Sequence, residues 1–134
     1  MEPHRILRVP RPTVLVVDDH SDLRDALAVL LEHEGFHVAD ASDGVEALAH
    51  LSSGAPVSAM IVDLDMPLMN GWDFLATCRL DAVWSRIPAI VVTGVDVAAQ
   101  RREELGDVSF FTKPINFDEL LAAIRRVMIR EVHR

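Results

Sequence analysis

The side chains best suited to chemistry stand where apolar runs of the sequence end. Asp63 follows the run Met60 to Val62, and a turn containing Pro67 comes next. A buried parallel strand presents an acid at its carboxyl end in this way, and ligands gather at that edge in open α/β sheets. A carboxylate there can attack a phosphoryl donor and form an acyl phosphate. We therefore predict that Asp63 is a nucleophile that accepts a phosphoryl group.

Two further acids, Asp18 and Asp19, end the first apolar run of the chain. If they lie beside Asp63, the three negative charges repel one another, and the cluster is stable mainly when a cation neutralises it. Oxygen ligands select a hard divalent cation, and a site with few protein ligands and several waters suits Mg2+. The backbone carbonyl of Asp65 is a candidate for one more ligand. The acids therefore predict a Mg2+ site, although adjacent acids also commonly cap helices.

Thr93 and Lys113 end two later apolar runs. Phosphoryl transfer needs little from a protein beyond positioning and charge neutralisation. Lys113 can neutralise a phosphoryl group, and the Thr93 hydroxyl can hydrogen-bond one of its oxygens while Gly94 leaves room beside it. Taken singly, Thr93 can simply end a strand and Lys113 can be a solvated surface lysine. Their joint position after apolar runs favours a shared site with the acids.

The elements that must position these residues are five strand patterns that alternate with five helical patterns. The strands are predicted at 13–17, 36–41, 57–62, 87–92 and 108–111. Gly35 is expected to end the first helix, Asp43 and Asn116 to cap the second and the last, and a short fourth helix is expected at 97–105. Right-handed crossovers then give an α/β fold, a doubly wound five-stranded parallel sheet with helices on both faces. The polar residues that end neighbouring strands would meet in one shallow cleft.

The composition limits the classes of function. The 134 residues fit one domain. The formal net charge of -8, from 13 basic and 21 acidic residues, argues against nucleic-acid binding, which needs a basic face. Cys78 is the single cysteine, which excludes an internal disulfide framework, and no segment approaches the roughly 20 apolar residues that span a bilayer. We expect a cytoplasmic protein with neither a nucleic acid nor a membrane as partner.

The chain is predicted to contain one domain, over residues 13–131, with no output domain after it. Residues 1–12 carry Pro3, Pro10 and Pro12 and a broken apolar pattern. Chain termini of this kind are often poorly ordered. We therefore expect a flexible N-terminal lead-in before the domain.

The motif residues form an ordered set: Asp18-Asp19, Asp63 with Met66-Pro67 and Gly71, Thr93-Gly94, and Lys113-Pro114. This set resembles the signature of response-regulator receiver domains of two-component signal transduction, and the resemblance covers nearly the whole chain. It implies a flavodoxin-like (βα)5 receiver fold and phosphorylation by a sensor histidine kinase or a phosphotransfer protein. The phosphorylated chain would then act on a downstream protein that the sequence does not identify. Such a domain catalyses its own phosphorylation but turns over no separate substrate.

The resemblance also implies roles at the centre of the site. Asp63 would be the phosphoacceptor. Asp18 and Asp19 would hold Mg2+ together with Asp63 and the main chain of Asp65.

A second group of implied roles concerns the phosphoryl group and a switch. Thr93 and Lys113 would bind the phosphoryl group, and the Lys113-Pro114 bond would be cis, an arrangement largely confined to proline. Thr93 would then move toward the phosphoryl group while Phe110 turns inward. Tyrosine is common at that position in the family, so Phe110 lacks the hydroxyl that could mark the inactive state, and packing alone would bias its rotamer. A purely structural role for Phe110 stays open.

Two other functions stay open. The stretch Asp63-Leu64-Asp65 superficially matches the nucleophile motif of haloacid-dehalogenase-like phosphohydrolases, but that family places its nucleophile after the first strand of the core. The other alternative is a binding module that kept the fold and lost phosphorylation. Turnover of a phosphate ester would favour the first, and lack of modification by acetyl phosphate with Mg2+ would favour the second.

Overall fold

Strands and helices alternate along the chain in the computed structural model, which describes residues 11–94, 99–106 and 108–132. The strands are β1 (Thr13–Val17), β2 (His37–Ala41), β3 (Ala59–Val62), β4 (Ala89–Thr93) and β5 (Ser109–Thr112). The helices are α1 (Ser21–His33), α2 (Gly44–Ser52), α3 (Gly71–Arg79), α4 (Ala99–Glu103) and α5 (Phe117–Val132), with a short 3-10 helix at Trp84–Arg86. Most of the predicted lead-in over 1–12 lies outside the described residues.

The five strands form one parallel sheet in the order β2-β1-β3-β4-β5. β1 pairs with β2 on one side and with β3 on the other. The winding therefore reverses beside β1, and the crevice at the carboxyl ends of β1 and β3 is the point at which ligands bind in open α/β sheets. The predicted α/β class, with a doubly wound five-stranded parallel sheet, is confirmed.

Alternate side chains of the strands supply two hydrophobic clusters, one on each face of the sheet. Leu15 of β1 belongs to the cluster that holds Phe74 of α3. Val16 of β1 belongs to the cluster that holds Leu31 of α1 and Ile124 of α5. All five side chains are fully buried, and burial of each contributes about 1.5–3 kcal/mol. The central strands are thereby fixed, and so are the polar residues that follow them.

The helix ends follow the predicted capping chemistry. The Asp43 carboxylate accepts a hydrogen bond of 2.8 Å from the N–H of Glu46 at the start of α2. The Asn116 side chain accepts one of 3.1 Å from the N–H of Glu119 at the start of α5. Gly35 follows α1 with a φ of 97°, a conformation that glycine adopts without steric cost.

The predicted strand starts are early by one or two residues at β2 to β5. Before β4 the reason is Pro88, which has no N–H to give to the sheet, although its carbonyl accepts a hydrogen bond of 2.9 Å from Met60. α4 ends at Glu103, two residues before the predicted end, and Gly106, with a φ of 75°, follows it; the predicted start at 97 lies outside the described residues. No helix within the described ranges is long and apolar enough to cross a membrane.

Candidate functional site

Hydrogen bonds extend the parallel pairing of the sheet beyond the strand ends and bring the polar residues to one edge. The N–H of Asp63 donates to the carbonyl of Val17 at 2.9 Å, and Asp18 follows Val17 directly. On the other side of β3, the N–H of Lys113 donates to the carbonyl of Thr93 at 2.9 Å. The side chains that end β1, β3, β4 and β5 therefore lie along one rim, as the sequence predicts.

The Lys113 ammonium bridges the two buried carboxylates of this rim. Its Nζ lies 2.9 Å from Oδ2 of Asp18 and 3.3 Å from Oδ2 of Asp63. Asp18 and Asp63 are 4% and 3% exposed, so water screens these charges poorly. The lysine, remote in sequence, thus neutralises part of a buried negative charge.

The electrostatic setting of Asp63 holds its proton more tightly than usual. Burial is the main cause that raises the pKa of Asp63, and the charge of Asp18 adds to it. The backbone N–H of Asp65 and the charge of Lys113 act in the opposite direction without cancelling the effect. Burial alone would lower the pKa of Lys113, but its contacts with Asp18 and Asp63 outweigh burial and raise it. Lys113 therefore stays positively charged beside a carboxylate that is destabilised in its charged form.

Four side chains can present metal-binding atoms to one point. Ligand atoms of Asp18, Asp19, His20 and Asp63 lie within 4.8 Å of one another. Three of them offer the carboxylate oxygens that Mg2+ prefers, so the donor set fits the predicted ion. The fourth, His20, is absent from the sequence-based prediction. An imidazole directly after an acid pair was the available signal.

The loop after β3 and the start of α3 contact Asp63 through one hydrogen bond and one close backbone approach. The N–H of Asp65 donates to Oδ1 of Asp63 at 3.3 Å. Gly71, at the start of α3, packs against the same peptide, because a Cβ at this position would lie 2.2 Å from the Asp63 carbonyl oxygen and 2.8 Å from Cα of Leu64. The side chain of Asn70 caps α3 by accepting a hydrogen bond of 2.9 Å from the N–H of Asp73. Glycine at position 71 therefore lets α3 start directly against the Asp63 backbone.

Thr93 and Phe110 lie on neighbouring strands, and Phe110 pairs with Val91, two residues before Thr93. Thr93 is fully buried at the end of β4. Phe110 is half-buried and packs against the cluster on the α3 face. The guanidinium group of Arg102 stacks on the Phe110 ring, so the expectation that packing alone biases this ring is incomplete. The peptide bond between Lys113 and Pro114 is cis, the geometry that the family resemblance implies.

A doubly wound parallel sheet with acids and a lysine converging at its carboxyl edge defines an open α/β domain whose ligand crevice lies at that edge. The family model described as the response regulator receiver domain matches residues 14–125. The chain belongs to that family. It is a response-regulator receiver domain of two-component signalling, and its acidic cluster is compatible with Mg2+ binding. This membership gives no support to the haloacid-dehalogenase-like alternative.

Relatives of known name share this region. The chain is 39% identical over 121 residues to the sensory transduction protein RegX3 of Mycolicibacterium smegmatis, which covers 88% of this chain and 51% of the relative. It is 32% identical over 131 residues to the alkaline phosphatase synthesis transcriptional regulatory protein SphR of Synechococcus elongatus, covering 90% of this chain and 50% of the relative. The chain thus spans about half the length of the curated relatives it matches.

Solved structures agree with the fold. The chemotaxis protein CheY4 of Vibrio cholerae gives a TM-score of 0.80 at 30% identity, covering 88% of this chain and 99% of the other. A response regulator receiver protein from Pseudomonas putida gives 0.81 at 32% identity, covering 89% and 99%. A CheY-like receiver domain from Methanospirillum hungatei gives 0.84 at 24% identity, covering 92% and 98%, and supports the fold alone.

Proposed function

We propose that this receiver domain accepts a phosphoryl group on Asp63 and that the adduct changes a protein-interaction surface. The observation that carries the proposal is the contact of the Lys113 ammonium with two buried carboxylates, those of Asp18 and Asp63. Lys113 supplies a fixed positive charge beside the acceptor carboxylate, and the remaining negative charge of the acids would attract the cation that neutralises an incoming phosphoryl group. The donor would be a sensor histidine kinase or a phosphotransfer protein, and the acceptor of the signal an unidentified downstream protein.

In the transfer, a carboxylate oxygen of Asp63 forms a bond to phosphorus. The bond from phosphorus to the donor nitrogen breaks, and that nitrogen keeps the electron pair and takes up a proton. Lys113 is close enough to Asp63 to neutralise an oxygen of the incoming group. The Thr93 hydroxyl would hydrogen-bond another phosphoryl oxygen. These residues would therefore position the phosphoryl group and neutralise its charge, which is most of what phosphoryl transfer requires.

The ion-binding residues in this proposal are the side chains of Asp18, Asp19 and Asp63 and the backbone carbonyl of Asp65. When bound, Mg2+ would neutralise both the carboxylates and the phosphoryl oxygens. The cluster of ligand atoms supports this assignment. Asp18, which also contacts Lys113, would link the metal to the phosphoryl-binding lysine.

The signal would leave the site through Thr93 and Phe110. A phosphoryl group offers contacts that exist in one state of the domain and are absent from the other, as any switch requires. Thr93 would move toward the phosphoryl group, and Phe110 would turn toward the space that it leaves. Residues 13–131 would act as the receiver unit in this process, in the cytoplasm.

The decisive experiment is intact mass measurement after incubation with acetyl phosphate and Mg2+. The wild-type chain should gain one phosphoryl mass, and Asp63→Asn should gain none. Asp65→Asn is the matched control, because it removes an acid two residues away and leaves the Asp65 backbone in place. Modification of Asp63→Asn to the wild-type level would disprove the acceptor assignment. No modification of any chain would favour the binding-module alternative.

A further inference from the structure

His20 turns its imidazole toward the acid cluster instead of capping the helix that it precedes. It occupies the N-cap position of α1, yet its side chain makes no capping hydrogen bond. Its Nδ1 lies 2.9 Å from Oδ1 of Asp18 and 3.2 Å from Oδ1 of Asp19. The ligand atoms of Asp63 lie within the same 4.8 Å cluster. A nitrogen atom that could bind a metal ion therefore lies among three carboxylates.

Two features leave this nitrogen available to a cation. The backbone N–H of His20 already donates to Oδ1 of Asp18 at 2.9 Å, so that oxygen keeps a donor when the imidazole presents its lone pair to an ion. The His20 side chain is 65% exposed, so water can hydrate the other ring nitrogen when that nitrogen carries the proton. To bind a cation, Nδ1 would exchange its hydrogen bond with Asp18 for a contact with the ion, while the backbone N–H of His20 keeps its own hydrogen bond to Asp18.

A nitrogen ligand changes which cation the pocket prefers. Carboxylates and carbonyls suit Mg2+ and Mn2+ alike, whereas an imidazole nitrogen binds a transition metal such as Mn2+ better than it binds Mg2+. We propose that His20 is a specificity-determining metal ligand and that the pocket of Asp18, Asp19, His20 and Asp63 favours Mn2+ over Mg2+. This inference rests on the proposed function, because it concerns the same metal site, and it adds the identity of the ion and of a fourth side-chain ligand.

The first test is calorimetric titration of the whole chain with Mn2+ and, separately, with Mg2+. His20→Phe keeps an aromatic ring but has no lone pair to give. Its Mn2+ affinity should fall by about tenfold or more, the scale on which metal affinity responds to such changes, while its Mg2+ affinity changes far less. His33→Phe, at the other end of α1, is the matched control and should leave both affinities unchanged.

The second test detects the ligand directly. Pulsed electron paramagnetic resonance of the Mn2+-loaded chain should show coupling to a directly bound nitrogen in wild type and in His33→Phe. The coupling should disappear in His20→Phe. Asp19→Asn should weaken Mn2+ binding in every background, which places the ion in this pocket.

The remaining outcomes overturn the inference in different ways. If His20→Phe raises the affinity for both ions alike, the imidazole competes with the cation and is not a ligand. If Mn2+ binds without nitrogen coupling, the metal site stands and His20 has no part in it. If neither ion binds, the metal assignment of the proposed function fails too, whereas phosphorylation of Asp63 by acetyl phosphate is measured separately.

Discussion

The guanidinium carbon of Arg102 lies 4.3 Å from the centre of the Phe110 ring. A similar contact joins Arg101 to the ring of Trp72 at 4.2 Å. Two arginines of α4 therefore cover two aromatic rings, one on α3 and one on β5. Each such contact at an exposed site contributes about 0.5–1 kcal/mol. Because Phe110 has no hydroxyl, stacking by Arg102 and packing against the cluster on the α3 face hold the ring in its half-buried position. The Arg102 contact couples α4 to the proposed switch residue.

The Arg102–Phe110 contact should appear as a coupling energy in a double-mutant cycle. The variants are Arg102→Gln, Phe110→Leu and the combination, each unfolded by urea. We expect the two substitutions to be non-additive by about 0.5–1 kcal/mol, because each removes the same contact. The matched cycle uses Arg101→Gln with Phe110→Leu and should be additive. Equal coupling in both cycles would show that the arginines act by general charge and not by stacking.

Gly71 should be the glycine beside the site that tolerates a methyl group least. In Gly71→Ala, the new Cβ would meet backbone atoms of Asp63 and Leu64, which cannot yield as a flexible side chain can. Overpacking of this kind costs about 1–3 kcal/mol in the free energy of unfolding. Urea unfolding measures that loss, and phosphorylation by acetyl phosphate should fall as Asp63 is displaced.

Gly94→Ala is the control for that experiment. Among the described residues, its Cβ would find one neighbour within 4 Å, Cδ of Lys113 at 3.9 Å, which is an ordinary van der Waals contact. We expect its free energy of unfolding to change by less than about 0.5 kcal/mol. If the two alanine variants lost the same stability, the close approach of α3 to the Asp63 backbone would not be what requires glycine.

Cys78 should be nearly inert in the folded protein. It is 3% exposed, and burial together with the charge of Asp81 raises its pKa from 9.0 to about 11. At pH 8 the thiolate fraction therefore falls about a hundredfold, and the thiolate is the reactive species. Iodoacetamide should label the native chain at least about a hundredfold more slowly than the urea-unfolded chain, as mass measurement over time would report.

The surroundings of Cys78 make that outcome informative. The residue lies in the wall of a cavity of about 330 Å3, which is also lined by Leu75, Trp84 and Leu105. If the reagent entered this cavity freely, the raised pKa alone would slow native labelling, by about a hundredfold, and closed packing of the thiol would slow it further. Labelling at equal rates with and without urea would therefore contradict both the raised pKa and the closed packing of Cys78 in the hydrophobic cluster on the α3 face.

The sequence predicted the sheet and most of the polar rim because both depend on patterns that are local. An apolar run that ends in an acid sets a strand and its terminal residue together, so the placement of Asp18 and Asp63 followed from the strands alone. The lysine could be added because β5 ends beside it. Capping by Asp43 and Asn116 was equally local, since a side chain and an N–H three residues on decide it.

Contacts between side chains that are distant in sequence could not be predicted. The direction of the His20 ring depends on its rotamer, and no pattern in the sequence specifies that rotamer. The stacking of Arg102 on Phe110 depends on where α4 crosses β5, which the weak apolar pattern of that segment leaves undetermined. The strand starts were missed for a simpler reason: Val57 and Ile87 are apolar and β-branched, so the apolar pattern begins two residues before the strands that start at Ala59 and Ala89.

The last prediction concerns the free energy of unfolding of the metal-free chain as a function of pH. The pKa of Asp63 is raised in the folded state above its ordinary 3.8, so the folded chain binds a proton here more tightly than the unfolded chain does. Stability falls with rising pH wherever the folded state holds more protons. Asp63 therefore costs nothing below pH 3.8, and its cost grows as the pH rises toward its folded pKa and stays complete above it.

Asp63→Asn should remove that cost. At pH 7 without metal, the variant should be more stable than wild type, by about 1 kcal/mol on the usual scale of single substitutions, and the difference should vanish below pH 3.8. Urea unfolding at a series of pH values measures it. Asp25→Asn, which removes an exposed acid on α1, should show no such gain. Mg2+ at ten times its Kd should then stabilise wild type by about 1.4 kcal/mol and Asp63→Asn much less, because the ion and the missing charge neutralise the same repulsion. If Asp63→Asn were no more stable than wild type at pH 7, Lys113 would already compensate the charge of Asp63 fully. Burial and the charge of Asp18 would then not destabilise the folded chain.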